Sequence, residues 1–199
     1  MLATNQSRSP VQKRGNRLPQ LLDAAARRFC EQGYDAASMR QIAEDAGMKA
    51  GSMYYHFPSK SDLLIAVHEE GIRRITEAVS QVLKGDKEPW AKLQAAMAAH
   101  LTALLDGGTY AQVVIRELPR EPGAARNRLI EYRDRYEAIF IDLIEALPLP
   151  PEASRRHFRL LILGALNWSQ SWYRAGGDPP EEIAAQFISF LRPVKRSRK

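Results

Sequence analysis

The chain has 199 residues, of which 45% are hydrophobic and 26% charged, the balance of a soluble globular protein with one domain or two small ones. Its single cysteine excludes an internal disulfide, its four histidines form no zinc-type cluster, and no apolar run reaches the roughly 18–20 residues of a membrane span. The net charge of +6 is uneven, because residues 1–60 and 192–199 are basic while residues 61–191 are mildly acidic. This distribution is typical of a nucleic-acid-binding head on a body that does not bind nucleic acid.

The N-terminal residues 1–15 are polar, basic and aperiodic, and they predict a disordered arm. They lack the apolar core of a secretory signal, so we expect a cytoplasmic protein with no membrane partner. From residue 16, apolar residues recur at helical spacing as far as Gly33, where the first helix is expected to end.

Residues 38–60, SMRQIAEDAGMKAGSMYYHFPSK, predict two short helices joined by a tight turn. Ser38 is suited to cap the first helix, and Gly47 accepts the left-handed backbone that the turn needs. The second helix, at about 49–56, ends before Pro58 because proline disfavours helical geometry in the preceding residue. Met48 and Met53 are assigned to the core between the two helices.

The outward residues of this segment suit a helix-turn-helix that places its second helix in the major groove. Small Gly51 and Ser52 allow close approach to the bases, and Tyr54 and Tyr55 offer rings to thymine methyls and hydroxyls to phosphates. The remaining candidate DNA contacts are Ser38, Arg40, Lys49, His56 and Lys60. Three alternatives stay open: core packing for one tyrosine, helix capping for His56, and an ion pair with Glu44 for Arg40.

Six further helices are expected after Ser59, separated by glycines and prolines. They lie at about 59–84, 89–105, 109–118, 123–147, 152–174 and 181–191. The run Val113-Val114-Ile115 would also fit a strand, but its helical neighbours favour a short buried helix. The sequence therefore predicts an all-α fold of about nine helices: a three-helix head at 16–62, a ligand-binding and dimerisation body at 63–191 and a basic tail at 192–199.

The centre of the helix at 152–174, LLILGALNW, is apolar all round, which is typical of a helix buried on every side. In so short a chain, one side would pack on the helical bundle and the other on a second copy of the protein. Gly164 would let a partner helix approach closely.

Residues Arg17–Val67 resemble the TetR family of bacterial transcriptional repressors, whose pattern AAxxxFxxxGYDAxSxRxIAxxAGxxxGxxYxHFxSKxxLL reads here AAARRFCEQGYDAASMRQIAEDAGMKAGSMYYHFPSKSDLL. The resemblance implies a repressor that binds a palindromic operator and is released by a small-molecule effector, with no cofactor or metal. It also implies a homodimer through the helices at about 152–174 and 179–191. By position, the family's DNA contacts fall on the nine candidates Ser38, Arg40, Lys49, Gly51, Ser52, Tyr54, Tyr55, His56 and Lys60.

The body is less informative about the effector. The segment GALNWSQSWYRAGG is similar to that of TetR-type regulators that respond to acyl-CoA thioesters, and several arginines could meet an anionic ligand. The candidate effector-binding residues are Trp90, Met97, Leu101, Tyr110, Val113, Arg116, Tyr132, Tyr136, Asn167, Trp168 and Trp172. Plain core packing is the alternative for most of them, and a solvated helix face is the alternative for the arginines.

Three other functional classes are weighed against this hypothesis. A drug-efflux regulator would answer to generic lipophilic compounds, and a helical protein-interaction module would lack DNA specificity. An enzyme is not expected, because the chain has no GxSxG elbow, phosphate-binding glycine loop or metal-ligand cluster.

Overall fold

The computed structural model describes residues 17–105, 108–117 and 123–192, and every regular element within these ranges is an α-helix. The described helices are α1 (Leu18–Ala36), α2 (Met39–Asp45), α3 (Ala50–His56), α4 (Lys60–Val82), α5 (Pro89–Leu105), α6 (Thr109–Arg116), α7 (Ala124–Glu145), α8 (Arg155–Trp172) and α9 (Pro180–Leu191). The all-α prediction is confirmed for these residues. The predicted arm at 1–15 and nearly all of the predicted tail at 192–199 lie outside them. Among the described helices, none combines the length and hydropathy that crossing a bilayer requires.

Local sequence signals place most helix ends close to where they were expected. The Ser59 hydroxyl accepts a hydrogen bond from the Asp62 amide at 3.1 Å and so begins α4. The backbone leaves helical geometry at Gly33 (φ 79°, ψ 161°), although a last short turn carries α1 on to Ala36. The segment containing Val113 is the helix α6 and not a strand.

Two hydrophobic clusters form the core, and α4 belongs to both. Its first turns supply Leu63 and Val67 to the head cluster, while Ile75 and Val79 pack in the body cluster. The head cluster also takes in four residues of α6 and α7, namely Tyr110, Val113, Leu129 and Tyr132. The predicted domain boundary after residue 62 therefore lies inside α4, a single helix that packs in both clusters.

Within a single chain helix α8 is covered on one side only, and its other side, which the sequence analysis assigned to a second copy of the protein, is open to solvent. Ile162 and Leu166 face inward, where α5 and α7 pack against the helix. On the opposite side Leu161 is 58% exposed and Trp168 is 70% exposed, and on α9 Phe190 is 81% exposed. A single chain thus leaves large apolar side chains of both C-terminal helices in contact with solvent.

Candidate nucleic-acid interface and body cavity

The turn between α2 and α3 is closed by backbone hydrogen bonds. The Met48 amide donates to the Ala43 carbonyl at 2.8 Å, and the Gly47 amide donates to the Glu44 carbonyl at 3.0 Å. This pair of bonds is the Schellman arrangement, which requires the positive φ of 63° found at Gly47. Arg17 donates to the Gly47 carbonyl at 2.6 Å, so the start of α1 also holds the turn.

Packing beneath the turn fixes which face of α3 points outward. Ile42 of α2 and Met53 of α3 are fully buried, and Met48 between them is half-buried against the same cluster. Ser38 precedes α2 in extended conformation, but its side chain makes no capping hydrogen bond to that helix. The Ser38 hydroxyl is therefore not bonded to its own helix. A contact with a DNA phosphate would require it to be available in this way.

The outward face of α3 is polar and aromatic. Lys49, Gly51, Ser52 and His56 are exposed, as predicted for groove contacts. Tyr54 is 50% exposed and Tyr55 is 88% exposed. An exposed apolar patch rimmed by polar groups is typical of an interaction surface.

Arg40 makes the ion pair that was left open as its alternative role. Its Nε lies 3.0 Å from Glu44 Oε1, and the two side chains are 82% and 60% exposed. An exposed pair of this kind contributes at most about 1 kcal/mol. A phosphate or a guanine edge can therefore displace Glu44, and Arg40 stays a candidate DNA contact.

Lys60 differs from the other candidates because its ammonium group is already bonded within the protein. It donates to the carbonyls of Tyr34, Asp35 and Ala37 at 2.8, 3.0 and 3.1 Å, and it lies 4.5 Å from the centre of the Tyr34 ring. A lysine has three N–H donors, and all three are used. In this geometry Lys60 closes the end of α1, and the expected phosphate contact would require breaking those bonds. Sequence could not show this, because the carbonyls lie more than twenty residues away.

Helix α6 connects the head to the body through side chains. The Tyr110 hydroxyl donates to Asp23 at 2.8 Å, with the Arg74 guanidinium 4.1 Å from the Tyr110 ring centre. The Cys30 thiol donates to the Gln112 side-chain oxygen at 3.1 Å, and burial raises the pKa of that thiol.

The packing of α6 on α4 is close. A Cβ on Gly71 would lie 2.7 Å from the Val114 side chain and 3.1 Å from the Tyr110 carbonyl oxygen, so only glycine fits there without a shift. Helix α6 therefore has little freedom to move independently of α4.

A cavity of about 310 Å³ lies in the body between α4, α5, α6, α7 and α8. Its apolar wall is formed by Ile72, Ile75, Val114, Ile115, Leu129, Ile130, Leu160 and Leu163, with Gly164 beside them. Its polar groups are His68, His100, Arg133, Tyr136, Glu137 and Asn167. An apolar space with a few convergent polar groups is the usual form of a small-molecule site.

A buried hydrogen-bonded chain crosses one wall of the cavity. His100 Nδ1 lies 2.7 Å from the Tyr136 hydroxyl, and His100 Nε2 lies 3.1 Å from Asn167 Oδ1. Burial lowers the pKa of His100 to about 4, so the ring is neutral at pH 7 and carries one N–H. Because Oδ1 can only accept, Nε2 donates and Nδ1 accepts from Tyr136. The Asn167 amide nitrogen is then a donor without a partner among the described residues.

His68 joins the cavity to the head. Its Nε2 lies 2.9 Å from the Glu117 carbonyl oxygen, so this nitrogen is the donor, and burial lowers the pKa of His68 to about 4. The Glu117 carboxylate in turn accepts from the Tyr34 amide of α1 at 3.1 Å. Tyr34 is also the residue whose ring and carbonyl hold Lys60. A short series of contacts thus runs from the cavity wall to the start of α4.

Of the predicted effector-binding residues, the structure brings Tyr136 and Asn167 to the cavity. Three others, Trp90, Met97 and Leu101, lie in the body core, and Tyr110, Val113 and Tyr132 lie in the head cluster. Arg116 is exposed at the end of α6. Trp168 and Trp172 are 70% and 43% exposed on α8, and neither lines the cavity. Helical spacing identifies apolar faces, but it does not say which turn of a face borders a void.

The sequence prediction missed the two cavity histidines, His68 and His100. The available signal was a lone histidine within an apolar helical pattern, which by itself is more often a satisfied core residue than a ligand contact. The arginines that the sequence offered for an anionic ligand are those at 116, 120, 126, 128, 133 and 135. Of these Arg133 lines the cavity, while Arg120 lies outside the described residues.

Comparison with known proteins identifies both parts of the chain. Residues 21–67 match the family described as bacterial regulatory proteins of the tetR family, and residues 86–193 match the tetracyclin repressor-like C-terminal domain. The transcriptional activator FasR of Mycolicibacterium smegmatis is 31% identical over 84% of this chain and 79% of its own length. The transcriptional repressor KstR2 of Mycobacterium tuberculosis is 27% identical over 88% and 91%. The crystal structure of AibR with isovaleryl coenzyme A and operator DNA has a TM-score of 0.78 at 22% identity, covering 88% of this chain and 97% of AibR.

Proposed function

Since this chain belongs to the TetR family of bacterial transcriptional regulators, we propose that it is a repressor that binds a palindromic operator as a homodimer and is released by an effector in the body cavity. The observation that carries the proposal is the outward face of α3, where Tyr55 is 88% exposed above a fully buried Met53. That arrangement presents a polar, aromatic face to a major groove while the core fixes its orientation.

The proposed DNA contacts are the exposed residues of α3 and the residue that precedes it, together with two residues at the start of α2. The members are Ser38, Arg40, Lys49, Gly51, Ser52, Tyr54, Tyr55 and His56. Lys60 is proposed to act indirectly, by holding α1 and the start of α4 together beside α3.

The homodimer is proposed to form through the outer faces of α8 and α9. Leu161, Gly164 and Trp168 recur at spacings of three and four residues, so they lie on one side of α8. An apolar stripe of this kind is expected to be covered by a partner. Two heads held by one dimer would meet successive major grooves about 34 Å apart.

The effector is proposed to be an acyl thioester of the coenzyme A type. Support comes from the cavity, where the Asn167 amide and Arg133 offer hydrogen-bond donors to an oxygen-bearing ligand. AibR, a structural neighbour, is known in complex with isovaleryl coenzyme A. The Asn167 amide favours such a ligand over the generic lipophilic compound of a drug-efflux regulator, since an apolar ligand would leave this donor unpaired.

Release would follow from a difference in affinity between two positions of α4. His68, Ile72 and Ile75 of α4 line the cavity, and the same helix begins at Lys60 next to α3. A ligand that favours a displaced α4 would change the spacing of the two heads and so weaken operator binding.

The test is operator binding by fluorescence anisotropy on a palindrome selected from random DNA. If Arg40 and Lys49 of each head neutralise one phosphate apiece, the dimer makes four such contacts. The plot of log affinity against log salt concentration should then have a slope of about −3.6 or steeper. Tyr55→Ala should lower operator affinity roughly tenfold or more, since it removes a base-edge or phosphate contact from α3. Salt-independent binding, or no selection of any palindrome, would favour a protein-interaction module instead.

A further inference from the structure

A second depression, of about 150 Å³, lies between the end of α7 and the start of α8, and three arginines line it. Helix α7 contributes Ile141, Ile144 and Glu145, and α8 contributes Arg155, Arg156 and Arg159. None of these residues was assigned a role from the sequence.

This depression lies beside the body cavity, where α7 and α8 contact each other. Arg155 pairs with Glu145 at 2.9 Å and Arg159 approaches Glu137 at 3.6 Å, so α7 and α8 run antiparallel here. Glu137 also lines the cavity. The cavity and the depression therefore lie next to each other along the seam between the two helices, with the Arg159–Glu137 contact between them.

The spacing of the lining residues supports the same conclusion. On α8, Arg156, Leu160 and Gly164 follow each other at intervals of four residues, and residues so spaced lie on one helix face. Leu160 and Gly164 border the cavity, whereas Arg156 borders the depression. Leu160 is 46% exposed, which places the opening of the cavity on this face.

The depression carries guanidinium donors that the protein does not fully use. The Nε atoms of Arg155 and Arg159 are buried without a well-aligned hydrogen bond, although both lie close to glutamate oxygens. Arg156 is exposed and has no ion pair among the described residues. Three arginines outnumber the two carboxylates that they contact, Glu145 and Glu137, so the depression is positively charged. Guanidinium groups suit phosphate oxygens in particular.

The volume of the cavity limits what can enter it. At roughly 30 Å³ for each water-sized group, about 310 Å³ holds on the order of ten non-hydrogen atoms. A short acyl group fits this space, but a nucleotide does not. A ligand that carries both an acyl group and a nucleotide must leave the charged nucleotide outside the cavity, along the seam between α7 and α8.

We propose that Arg155, Arg156 and Arg159 form an anion site for the phosphate groups of a ligand whose acyl group occupies the cavity. The effector is then a phosphate-bearing acyl thioester and not the corresponding free acid. This inference rests on the proposed effector role of the cavity, and it adds the part of the ligand that the sequence left undefined.

The experiment compares two thioesters with the same acyl group, hexanoyl-CoA and hexanoyl-pantetheine, which lacks the phosphates. Isothermal titration calorimetry on the unmodified protein should give roughly tenfold or greater preference for hexanoyl-CoA, since hydrogen bonds to charged groups are the stronger kind. Arg156→Gln should remove most of that preference and leave hexanoyl-pantetheine binding unchanged. Arg128→Gln, an exposed arginine of α7 that borders neither space, is the matched control and should change neither affinity.

Equal affinity of the unmodified protein for the two thioesters would overturn the anion site without reliance on any variant. A preference for hexanoyl-CoA that persists in Arg156→Gln would overturn it as well. Operator release is measured separately on the same samples. If both thioesters release the protein from the operator equally well, the effector role of the cavity is retained and the anion site is rejected. If binding depends on the phosphates but does not release the operator, the anion site is retained and the proposed regulation is rejected. Failure to bind either thioester would reject the anion site and this class of effector together.

Discussion

Replacing Trp168 by alanine should separate the protomers of the proposed dimer without unfolding either one. The indole is 70% exposed on the outer side of α8, on the same stripe as Leu161 and Gly164. The core side of α8 is formed by inward residues such as Leu166, which is fully buried, so removal of the indole should cost a single chain little stability. The loss should therefore fall on association.

The size of the effect follows from the exposed area. A tryptophan side chain has about 200 Å² to bury, and 70% of it gives about 140 Å² for each protomer. Two copies at about 25 cal/mol per Å² give a ceiling of about 7 kcal/mol. Incomplete coverage and the methyl group that alanine retains reduce this to about 3 kcal/mol, which raises the dissociation constant by about two orders of magnitude.

The measurement is sedimentation velocity over a concentration series, with urea unfolding as a check on the fold. Tyr55→Ala is the matched control, because it also removes a largely exposed aromatic ring but in the head. It should leave the dimer intact while it weakens operator binding. A dissociation constant for Trp168→Ala within about threefold of the unmodified protein would refute the proposed interface, since the indole would then be uncovered in the assembly.

Three other perturbations test the remaining assignments. Lys60→Met should lower the free energy of unfolding by about 1–2 kcal/mol in urea titrations, because it removes a charged donor to three carbonyls; an unchanged stability would restore the phosphate-contact hypothesis. The histidines His68 and His100 have pKa values of about 4 in the folded protein against an ordinary 6.5, so the unfolded chain binds protons first as the pH falls. Stability should therefore be full above about pH 6.5 and should fall by about 3 kcal/mol per histidine towards pH 4; His100→Gln should halve this loss, and an undiminished loss would count against the assignment. Glu117→Gln weakens the bond to the Tyr34 amide and should reduce the factor by which effector weakens operator binding by a few fold, with effector affinity preserved; an unaltered factor would exclude this contact from the coupling.

The helix-turn-helix could be predicted almost completely because its signals are local. Gly47, Met53 and Pro58 act within a few residues of the backbone that they shape, and the structure has the turn, the buried methionine and the end of α3 where they indicate. The choice between helix and strand at Val113 was also correct, since the neighbouring elements decided it.

The cavity could be predicted only in part, because its wall comes from five helices. Asn167 was recognisable as a polar group in an apolar helix, and Tyr136 as an aromatic among several. Nothing local separates Trp168, which faces solvent, from Leu166, which is fully buried two residues earlier. The position of each on α8 relative to α5 and α7 makes the difference.

The sequence by itself determined the helices, their order and the outward chemistry of α3, since propensity, spacing and turn residues act over one or two turns of chain. Only the tertiary structure decided which polar groups share the cavity, that the Lys60 ammonium bonds to carbonyls at the end of α1, and that three arginines of α8 line a depression against α7. These are contacts between residues far apart in the chain. Their geometry depends on how helices cross, and the spacing of residues along one helix does not contain that information.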